Sequence, residues 1–367
     1  MRILHVVNSL EPGGMENGVV NLCRSLESSQ YTIGIACLNQ PGAFAKRLPS
    51  HVFVETLGKD HDFSVSAVRR LRKLIARFTP SVIHTHNLGP LIYASLATNF
   101  GCTCRILHGE HSQLTREELS FRRKWQRRLL YHTCAKVHTV SHALENQMRA
   151  QGFPAAKLTT VVNGVDTVRF CPGDKIFSRQ LFQLPPGAIV LGIVGRFGRY
   201  KAHITLLEAF DLLCQKYSTL HLLIVGGEGP ERERVQNRAA QSQAGARIHF
   251  TGFQNDPTPC YRALDLLVVP SLNEGLSNAV LESMACGIPP LTHSACGNAE
   301  AISSGLNGVV ADVSTPHFLA EELDQILQNP TALTEMGWKA RETAVQRFSL
   351  ESMISGYEKL YHATAST

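Results

Sequence analysis

Residues 270–287 read PSLNEGLSNAVLESMACG and follow an apolar run that predicts a β-strand over 266–270. The strand leads into a glycine-containing loop. Ser277 or Asn278 can then cap a helix that Gly287 ends. Ligands of an open parallel sheet bind at the carboxyl ends of its strands, and a helix amino terminus at that edge favours phosphate. The stretch therefore predicts an anion-binding loop on a parallel sheet.

Two carboxylates stand eight residues apart in this stretch. Glu274 lies in the loop and Glu282 lies about one turn into the predicted helix, so both can approach one ligand from two sides. One can hold a ribose and the other a sugar. Taken alone, Glu282 is equally explained as an acid that the helix dipole favours near the amino terminus.

A second loop brings cations to the same predicted edge. Residues 194–201, VGRFGRYK, leave the first strand of the second half of the chain and enter a helix. Arg196 can hold a diphosphate through two parallel hydrogen bonds while Lys201 acts as a point charge, which together offset about two negative charges without a metal ion. The alternative is an ordinary basic surface loop.

Outside these loops, short apolar runs alternate with helical stretches in both halves of the chain. This alternation predicts an α/β fold with two doubly wound, parallel-sheet, Rossmann-like domains. A turn at 163–166 and a polar linker after it indicate a boundary between a domain over 1–165 and a domain over 166–348. The last stretch, 349–367, is predicted as a helix that packs its apolar face back on the first domain.

The composition is that of a folded protein with two domains. The 367 residues are 44% hydrophobic and 18% charged, and no apolar run approaches the ~20 residues needed to cross a bilayer. The amino terminus is predicted as a first strand rather than a signal peptide, so a cytoplasmic protein is expected. Ten scattered cysteines without a Cys-x-x-Cys pair indicate core residues rather than disulfides or a zinc site.

Much of the positive charge lies on two predicted helices of the first half, in a chain with a net charge of +6. Apolar residues interleave with the cations, so each helix can lie on anionic lipid or expose an ordinary solvated face. The sequence leaves both readings open. The cations are Arg69, Arg70, Arg72, Lys73 and Arg77 on the first helix, and Arg122, Arg123, Lys124, Arg127 and Arg128 on the second.

With these residues the chain resembles the retaining GT-B glycosyltransferases of family four. The donor domain of that family carries Gly-Arg-x-x-x-x-Lys and Glu-x7-Glu, which stand here at 195–201 and 274–282 in the expected elements. The resemblance covers essentially the whole chain and includes Gly13-Gly14, Asn163-Gly164-Val165-Asp166 and Gly252-Phe253. Residues 11–22 are similar to bacterial sugar transferases of exopolysaccharide systems.

The resemblance implies that Glu274 contacts the transferred sugar and that Glu282 holds the ribose of the donor. It also implies a histidine near the reacting sugar at a strand end of the first domain. His111 is favoured because the polar run begins after it, and His108 is the alternative. The implied catalytic residues are Glu274 and His111, and the implied donor-binding residues are Gly13, Gly14, Arg196, Lys201, Gly275, Leu276, Ser277, Asn278 and Glu282.

Two positions depart from the family pattern, namely Ala202, where glycine is frequent, and the segment 297–300, which has one glycine instead of two. A further motif, Asp60-His61-Asp62, matches the Asp-x-Asp metal signature of the other large glycosyltransferase fold. Its place before the first basic helix favours Asp62 as a helix cap instead.

The resemblance thus implies two domains that face a cleft and move a sugar, with retention of configuration, from a UDP- or GDP-linked donor to a glycan or lipid-linked acceptor. Polysaccharide biosynthesis is the expected role, without metal, cofactor or nucleic acid, and with a peripheral contact at the inner face of the plasma membrane as an option. A sugar-nucleotide epimerase of the same architecture is the alternative. A dinucleotide-dependent oxidoreductase is disfavoured because the glycines at 13–14 and 226–229 do not form Gly-x-Gly-x-x-Gly. A non-catalytic binding protein is disfavoured because the charged donor residues are all retained.

Overall fold

The chain divides into two units. Unit 1 comprises Met1–Asn163 and Glu351–Thr367, and unit 2 comprises Gly164–Leu350. The first junction falls two residues before the boundary expected at 165, and the second falls at the start of the last helix. The computed structural model describes residues 1–27, 29–59, 62–272 and 274–366.

Unit 1 is built on a seven-stranded sheet. Its strands are β1 (Arg2–Val7), β2 (Thr32–Cys37), β3 (Phe53–Thr56), β4 (Val82–His86), β5 (Arg105–Glu110), β6 (Lys136–Thr139) and β7 (Leu158–Thr160). The strand order is β3-β2-β1-β4-β5-β6-β7, and all neighbours run parallel. Buried aliphatic residues of adjacent strands, such as Leu4, Ile83 and Ile106, form the core.

Unit 2 repeats this plan with six strands. They are β8 (Ile189–Val194), β9 (Leu220–Val225), β10 (Ile248–Gly252), β11 (Leu266–Val269), β12 (Pro290–His293) and β13 (Val309–Ala311). The order is β10-β9-β8-β11-β12-β13, again with parallel neighbours. Its core is centred on residues such as Leu191, Leu222 and Leu266.

Helices connect the strands of both sheets, as parallel pairing requires. They are α1 (Gly14–Ser25), α2 (Val65–Phe78), α3 (Leu88–Ala97), α4 (Phe121–Thr133), α5 (His142–Ala150), α6 (Lys175–Leu181), α7 (His203–Leu213), α8 (Arg232–Ala240), α9 (Thr258–Ala263), α10 (Asn278–Ala285), α11 (Pro316–Leu327), α12 (Pro330–Arg347) and α13 (Leu350–Ser366). Within the described ranges, no helix is long and apolar enough to cross a membrane.

The reversal of strand order positions the candidate residues. In unit 2 the reversal lies between β8 and β11, which pair directly. The two predicted donor loops follow these two strands, so they begin at neighbouring carboxyl ends. In unit 1 the reversal lies between β1 and β4, which lead to Gly13 and Asn87 respectively. Ligands of open parallel sheets bind at such points.

The last helix, α13, packs almost entirely within unit 1. It buries Tyr357 and Tyr361, and the Tyr361 hydroxyl lies 2.8 Å from Nδ1 of His84 on β4. Gly356 faces Val161, whose side chain would lie 3.1 Å from any added Cβ atom. The apolar face predicted for this helix therefore covers the sheet of unit 1.

The predicted cap of α2 is wrong. Ser64 caps the helix, since its hydroxyl oxygen accepts a hydrogen bond from the backbone N–H of Ala67 at 3.3 Å. Ser64 directly precedes the first helical residue, whereas Asp62 lies two residues too early for its carboxylate to take that place. Asp60 and His61 lie outside the described residues, so the structure does not address the metal reading of this motif.

Seven of the ten cysteines are buried, as expected for core residues, and all ten are free thiols. In the one pair close in sequence, Cys102 is exposed and Cys104 is partly exposed.

Candidate active site

The two loops of unit 2 bring a predicted cation and a predicted carboxylate together. Lys201 Nζ donates a hydrogen bond to Glu274 Oε1, and the two residues form an ion pair across 73 positions of sequence. Lys201 ends a single 3-10 turn after β8, and Glu274 follows β11. Both side chains are mostly buried, so the local dielectric constant is below that of water and the attraction is stronger. The cation can pair with a phosphate, and the carboxylate can accept hydrogen bonds from sugar hydroxyls.

Glu282 lies on α10, and a tyrosine orients its carboxylate. The hydroxyl of Tyr261 donates to Glu282 Oε2 at 2.7 Å. Tyr261 is fully buried, and this burial together with the nearby Glu282 charge raises the pKa of its hydroxyl well above the ordinary value. The hydroxyl therefore keeps its proton at neutral pH and remains a donor. A carboxylate has several acceptor positions, so Glu282 can also accept from a ribose hydroxyl.

Arg196 follows β8 on a loop whose backbone contacts the end of β9. The N–H of Gly195 donates to the carbonyl oxygen of Val225 at 2.9 Å. The carbonyl oxygen of Gly195 would lie 2.2 Å from a Cβ atom added at Gly226, so only glycine fits there. The exposed side chain of Arg196 thus extends from a well-supported backbone.

A 3-10 turn at Gly297–Glu300 holds the loop that carries Glu274. The N–H of Gly297 donates to the carbonyl oxygen of Glu274 at 2.9 Å, and Asn298 Oδ1 accepts from the N–H of Ser277 at 2.8 Å. A Cβ atom at Gly297 would lie 1.7 Å from the carbonyl oxygen of Gly275. The role of Asn298 is not evident from the sequence, because its partner lies 21 residues away and leaves no local pattern.

The remaining donor-loop candidates line the start of α10. Gly275 and Leu276 are buried, Ser277 is the residue before the helix, and Asn278 is its first residue. Ser277 makes no capping bond through its side chain. The N–H of Ser277 donates to Asn298. One fewer backbone N–H is therefore available to a ligand at this helix terminus than the sequence predicts.

A buried histidine that the sequence analysis did not single out lies beside these loops. His203 is the first residue of α7, and among the described residues neither of its ring nitrogens has a hydrogen-bond partner. Burial, together with the charge of Lys201, lowers its pKa to about 4. Its ring centroid lies 4.9 Å from that of Phe197. The only sequence signal is a histidine two residues after the predicted phosphate-binding lysine.

In unit 1, Gly13 and Gly14 lie at the amino terminus of α1. Gly13 precedes the helix in an extended conformation, and Gly14 is the first helical residue. The carboxylate of Glu16 lies close to Gly13, with one oxygen 2.2 Å from where a Cβ atom would be. The missing side chains allow close approach to this backbone, and the assignment of both glycines to donor binding remains a prediction.

His111 directly follows β5 and is partly exposed. Its Nε2 lies 2.9 Å from Nδ1 of His86. Burial lowers the pKa of His111 to about 4, although the nearby Glu110 charge acts in the opposite direction. At neutral pH the ring is therefore uncharged, and it can serve as a hydrogen-bond donor or acceptor but not as a cation.

The alternative histidine, His108, is fully buried in β5. Its Nδ1 lies 2.8 Å from Thr85 Oγ1, and its Nε2 lies 3.3 Å from Glu110 Oε1. The same Glu110 oxygen also accepts from Tyr131 at 2.6 Å and from Arg127 at 3.0 Å. Both ring nitrogens of His108 are thus used inside the core, which supports His111 as the histidine that reaches the surface.

Three buried histidines offer nitrogen atoms of the kind that bind metals. Ring nitrogens of His5, His84 and His86 lie within 4.8 Å of one another. The group includes no carboxylate or thiolate, and His5 Nδ1 already lies 3.0 Å from His86 Nε2. These residues fit a hydrogen-bonded network better than a metal centre, and a metal-free reaction remains a prediction.

The two basic helices differ in what they expose. On α2 the apolar residues Leu71, Leu74 and Ile75 are buried and its cations lie on a solvated face, while contact of this helix with lipid stays a prediction. On α4 the prediction that Arg127 lies on the surface is wrong. Arg127 is 1% exposed and is paired with Glu110 and Glu118, because it lies on the helix face that meets the core.

The opposite face of α4 presents large apolar side chains to solvent. Phe121, Trp125 and Leu129 are 88%, 60% and 50% exposed. Their spacing of four residues places them in one stripe along the helix. Arg122 and Arg128 are exposed beside this stripe, and α4 contains no acidic residue. The helix therefore has the amphipathic character predicted from the sequence, with the apolar stripe uncovered.

Both halves of the chain match models of protein families. Residues 12–169 match Glycosyltransferase Family 4, and residues 174–343 match Glycosyl transferases group 1. The lipopolysaccharide core biosynthesis glycosyltransferase LpsE of Rhizobium meliloti (strain 1021) is 32% identical over 182 residues, which are 50% of this chain and 52% of that protein. The putative glycosyltransferase EpsD of Bacillus subtilis (strain 168) is 26% identical over 319 residues, which are 82% of this chain and 81% of that protein. The chain spans about half the length of the first curated relatives that it matches.

Solved structures share the fold over the whole chain. HepE of Anabaena in complex with UDP and glucose has a TM-score of 0.86 at 20% identity, and 99% of each chain is covered. WaaG, a glycosyltransferase involved in lipopolysaccharide biosynthesis, has a TM-score of 0.80 at 16% identity, with 98% of this chain and 99% of that chain covered. The predicted fold class is confirmed as α/β with two Rossmann-like parallel-sheet domains of the GT-B type.

Proposed function

With a Glycosyltransferase Family 4 domain and a Glycosyl transferases group 1 domain in one chain, we propose that this protein transfers a sugar from a nucleoside-diphosphate sugar to a glycan or lipid-linked acceptor. The observation that carries the proposal is the pair of Lys201 and Glu274 at the strand-order reversal of unit 2. The HepE complexes with UDP and with UDP-glucose support a uridine nucleotide as the first donor to test.

In the proposed donor site, Arg196 and Lys201 hold the diphosphate, Glu282 holds the ribose and Glu274 contacts the sugar. The bond between the anomeric carbon and the leaving phosphate oxygen breaks, and the cations stabilise the negative charge that builds on the diphosphate. The acceptor hydroxyl forms the new bond on the same face, and its proton passes to the leaving phosphate. Configuration is thereby retained, and no metal ion is needed.

The proposed biological role is polysaccharide biosynthesis on the cytoplasmic side of the membrane. LpsE supports it, since that relative is named for the lipopolysaccharide core. The sugar-nucleotide epimerase is not favoured, because the relatives with the strongest matches are named as transferases or synthases. The two activities differ in product. An epimerase inverts a centre of the sugar in the nucleotide-sugar without an acceptor, whereas a transferase moves the sugar to an acceptor and releases the nucleoside diphosphate.

Calorimetric titration with UDP and GDP in the presence of a chelator tests the donor site. We expect micromolar binding of one nucleotide to the unchanged protein. Lys201→Ala should weaken it by about 10- to 100-fold, because a charge-assisted hydrogen bond contributes ~1.5–3 kcal/mol. Binding that appears only after metal is added would contradict the metal-free site.

Lys216→Ala is the matched control for this titration. Lys216 is also a unit 2 lysine paired with a carboxylate, that of Asp324, but it precedes β9 and so lies toward the opposite end of the sheet. Its removal should leave nucleotide affinity within about twofold, as expected for a surface ion pair outside the site. Equal losses in both variants would mean that charge in general, rather than the site, governs binding.

We further propose that the exposed stripe of α4 contacts an anionic membrane surface. Phe121 and Trp125 supply apolar and aromatic area, and Arg122 and Arg128 supply positive charge beside it. This combination suits the boundary between lipid headgroups and acyl chains, where each added cation near anionic lipid contributes about 1 kcal/mol. A lipid-linked acceptor would be reached from the same surface.

The chain has only two tryptophans, Trp125 and Trp338, which makes this contact measurable. In a Trp338→Phe variant, we expect the fluorescence of Trp125 to shift to the blue with vesicles of phosphatidylglycerol and phosphatidylcholine, and not with phosphatidylcholine alone. Trp125→Phe provides the matched control, since Trp338 is 64% exposed but lies on α12. A shift of Trp338 only, or binding unchanged in Phe121→Ser, would overturn the proposal.

A further inference from the structure

Three histidines form a continuous chain of ring contacts in unit 1. His5 Nδ1 lies 3.0 Å from His86 Nε2, and His86 Nδ1 lies 2.9 Å from His111 Nε2. His5 lies on β1 and His86 on β4, and both are buried, whereas His111 is partly exposed. The chain therefore runs from the core of the sheet to the candidate catalytic histidine.

The protons in this chain are coupled. Burial lowers the pKa of His5 to about 3 and that of His111 to about 4, and it also lowers the pKa of His86, so all three rings are neutral at pH 7. A neutral imidazole carries one N–H, and each contact between two ring nitrogens holds one proton. Only two arrangements satisfy both contacts, one with every donor pointing toward His111 and one with every donor pointing toward His5.

The buried end of the chain distinguishes these arrangements. His5 Nε2 is buried and has no hydrogen-bond partner among the described residues. If the donors point toward His5, this nitrogen carries a buried N–H that has no acceptor. If they point toward His111, it carries only a lone pair that accepts no hydrogen bond. Stranded buried N–H groups are rarer in proteins than under-used acceptors. The arrangement in which every donor points toward His111 is therefore favoured.

We propose that His86, supported by His5, sets the tautomer of His111 so that His111 presents a protonated Nδ1 to its ligand. His86 donates to His111 Nε2 and leaves Nδ1 of His111 as the atom that carries the proton. His111 then acts as a hydrogen-bond donor to a sugar oxygen and not as a general base. His86 and His5 are positioning residues, because they act through His111.

The tautomer can be measured without any activity assay. Long-range ¹H–¹⁵N correlation spectra of the full-length protein labelled with ¹⁵N-histidine distinguish protonated from bare ring nitrogens. The His111 signals are identified by their loss in His111→Gln. At pH 7.5 we expect a protonated Nδ1 and a bare Nε2. A protonated Nε2 on His111 would overturn the proposal.

Two variants of His86 separate positioning from mere packing. In His86→Asn the amide nitrogen takes the approximate place of Nδ1 and can still donate to His111, so the tautomer should persist. In His86→Leu the donor is lost and a mixture of tautomers is expected. His84→Leu controls for packing, since the ring of His84 lies against that of His86, with centroids 4.1 Å apart, but hydrogen-bonds to Tyr361 and His138. A tautomer unaffected by His86→Leu would contradict the positioning role.

The link to catalysis rests on the proposed function and is tested separately with UDP-glucose. Loss of one hydrogen bond that positions His111 should lower kcat by about 10-fold in His86→Leu, and kcat should recover in His86→Asn, with KM for the donor and UDP affinity unchanged. If the spectra show the expected tautomer but His111→Gln keeps full turnover, the catalytic role of His111 fails and the tautomer assignment stands. Equal losses in His86→Leu and His86→Asn would overturn the positioning role.

Discussion

At the scale of single residues, Ala202 shows how a departure from the family pattern is accommodated. It has φ +55° and ψ +37°, in the left-handed region, between Lys201 and the first residue of α7. A residue with a Cβ atom loses about 1–2 kcal/mol in this conformation. The alanine therefore stores strain next to the proposed phosphate-binding lysine, while the charges of the loop remain in place.

Ala202→Gly should raise the free energy of unfolding of unit 2 by up to about 1 kcal/mol, because the relieved strain exceeds the entropy that glycine adds to the unfolded chain. Denaturant unfolding followed by Trp338 fluorescence measures this change. Ala76→Gly, at an exposed position of α2, should instead lower the stability of unit 1 by about 1 kcal/mol. A loss of stability in Ala202→Gly would show that the strain is absent.

At the scale of elements, α2 and α4 show how helices with similar charge can bury different faces. Both carry five cations and interleaved apolar residues. The apolar residues of α2 are concentrated on one face, which packs on the sheet, so little apolar surface remains for another contact. In α4 the buried face includes Arg127, neutralised by Glu110, and the large apolar side chains are left outside.

The start of α2 gives a prediction at this scale. Ser64→Ala should destabilise unit 1 by about 1 kcal/mol, because the N–H of Ala67 loses its acceptor. Asp62→Ala is the matched control and should change stability by less than about 0.5 kcal/mol, because the residue is exposed and its backbone carbonyl, which accepts from Tyr93, is retained. Unfolding monitored by Trp125 compares the two variants. A larger effect for Asp62→Ala would restore the cap predicted from the sequence.

At the scale of the whole molecule, the buried histidines make the stability of unit 1 sensitive to acid. His5 and His111 have pKa values lowered to about 3 and about 4 by burial, whereas an unfolded chain binds these protons near pH 6.5. Below that pH the unfolded state binds more protons than the folded state. The contribution of these two histidines to the free energy of unfolding is therefore fully present above about pH 6.5 and is lost as the pH falls toward 4.

Each of these two histidines should lower the free energy of unfolding by about 2 kcal/mol when the pH is changed from 7.5 to 5, because the unfolded chain binds the extra proton. Urea unfolding at several pH values, followed by Trp125 in the Trp338→Phe variant, measures the loss in unit 1. His5→Asn removes one titrating group and should reduce the pH dependence by about one proton. A free energy of unfolding that is constant from pH 7.5 to pH 5 would mean that the rings are not buried as neutral groups.

Those parts of the structure that depend on neighbouring residues could be predicted from the amino-acid order. The predicted alternation of short apolar strands with helices is present in both units, because periodicity is a local property of the chain. The two loops predicted to bind the donor were likewise identified from strand ends, glycines and closely spaced charges.

Contacts between residues of distant elements became apparent from the folded structure. The burial of Arg127, the bond from Ser277 to Asn298 and the chain from His5 to His111 join elements distant in sequence. Strand order sets those contacts, and a side chain carries no local pattern that names a partner on another strand. The sequence therefore indicated the chemistry at each loop, whereas the packing of parallel strands selected the partners.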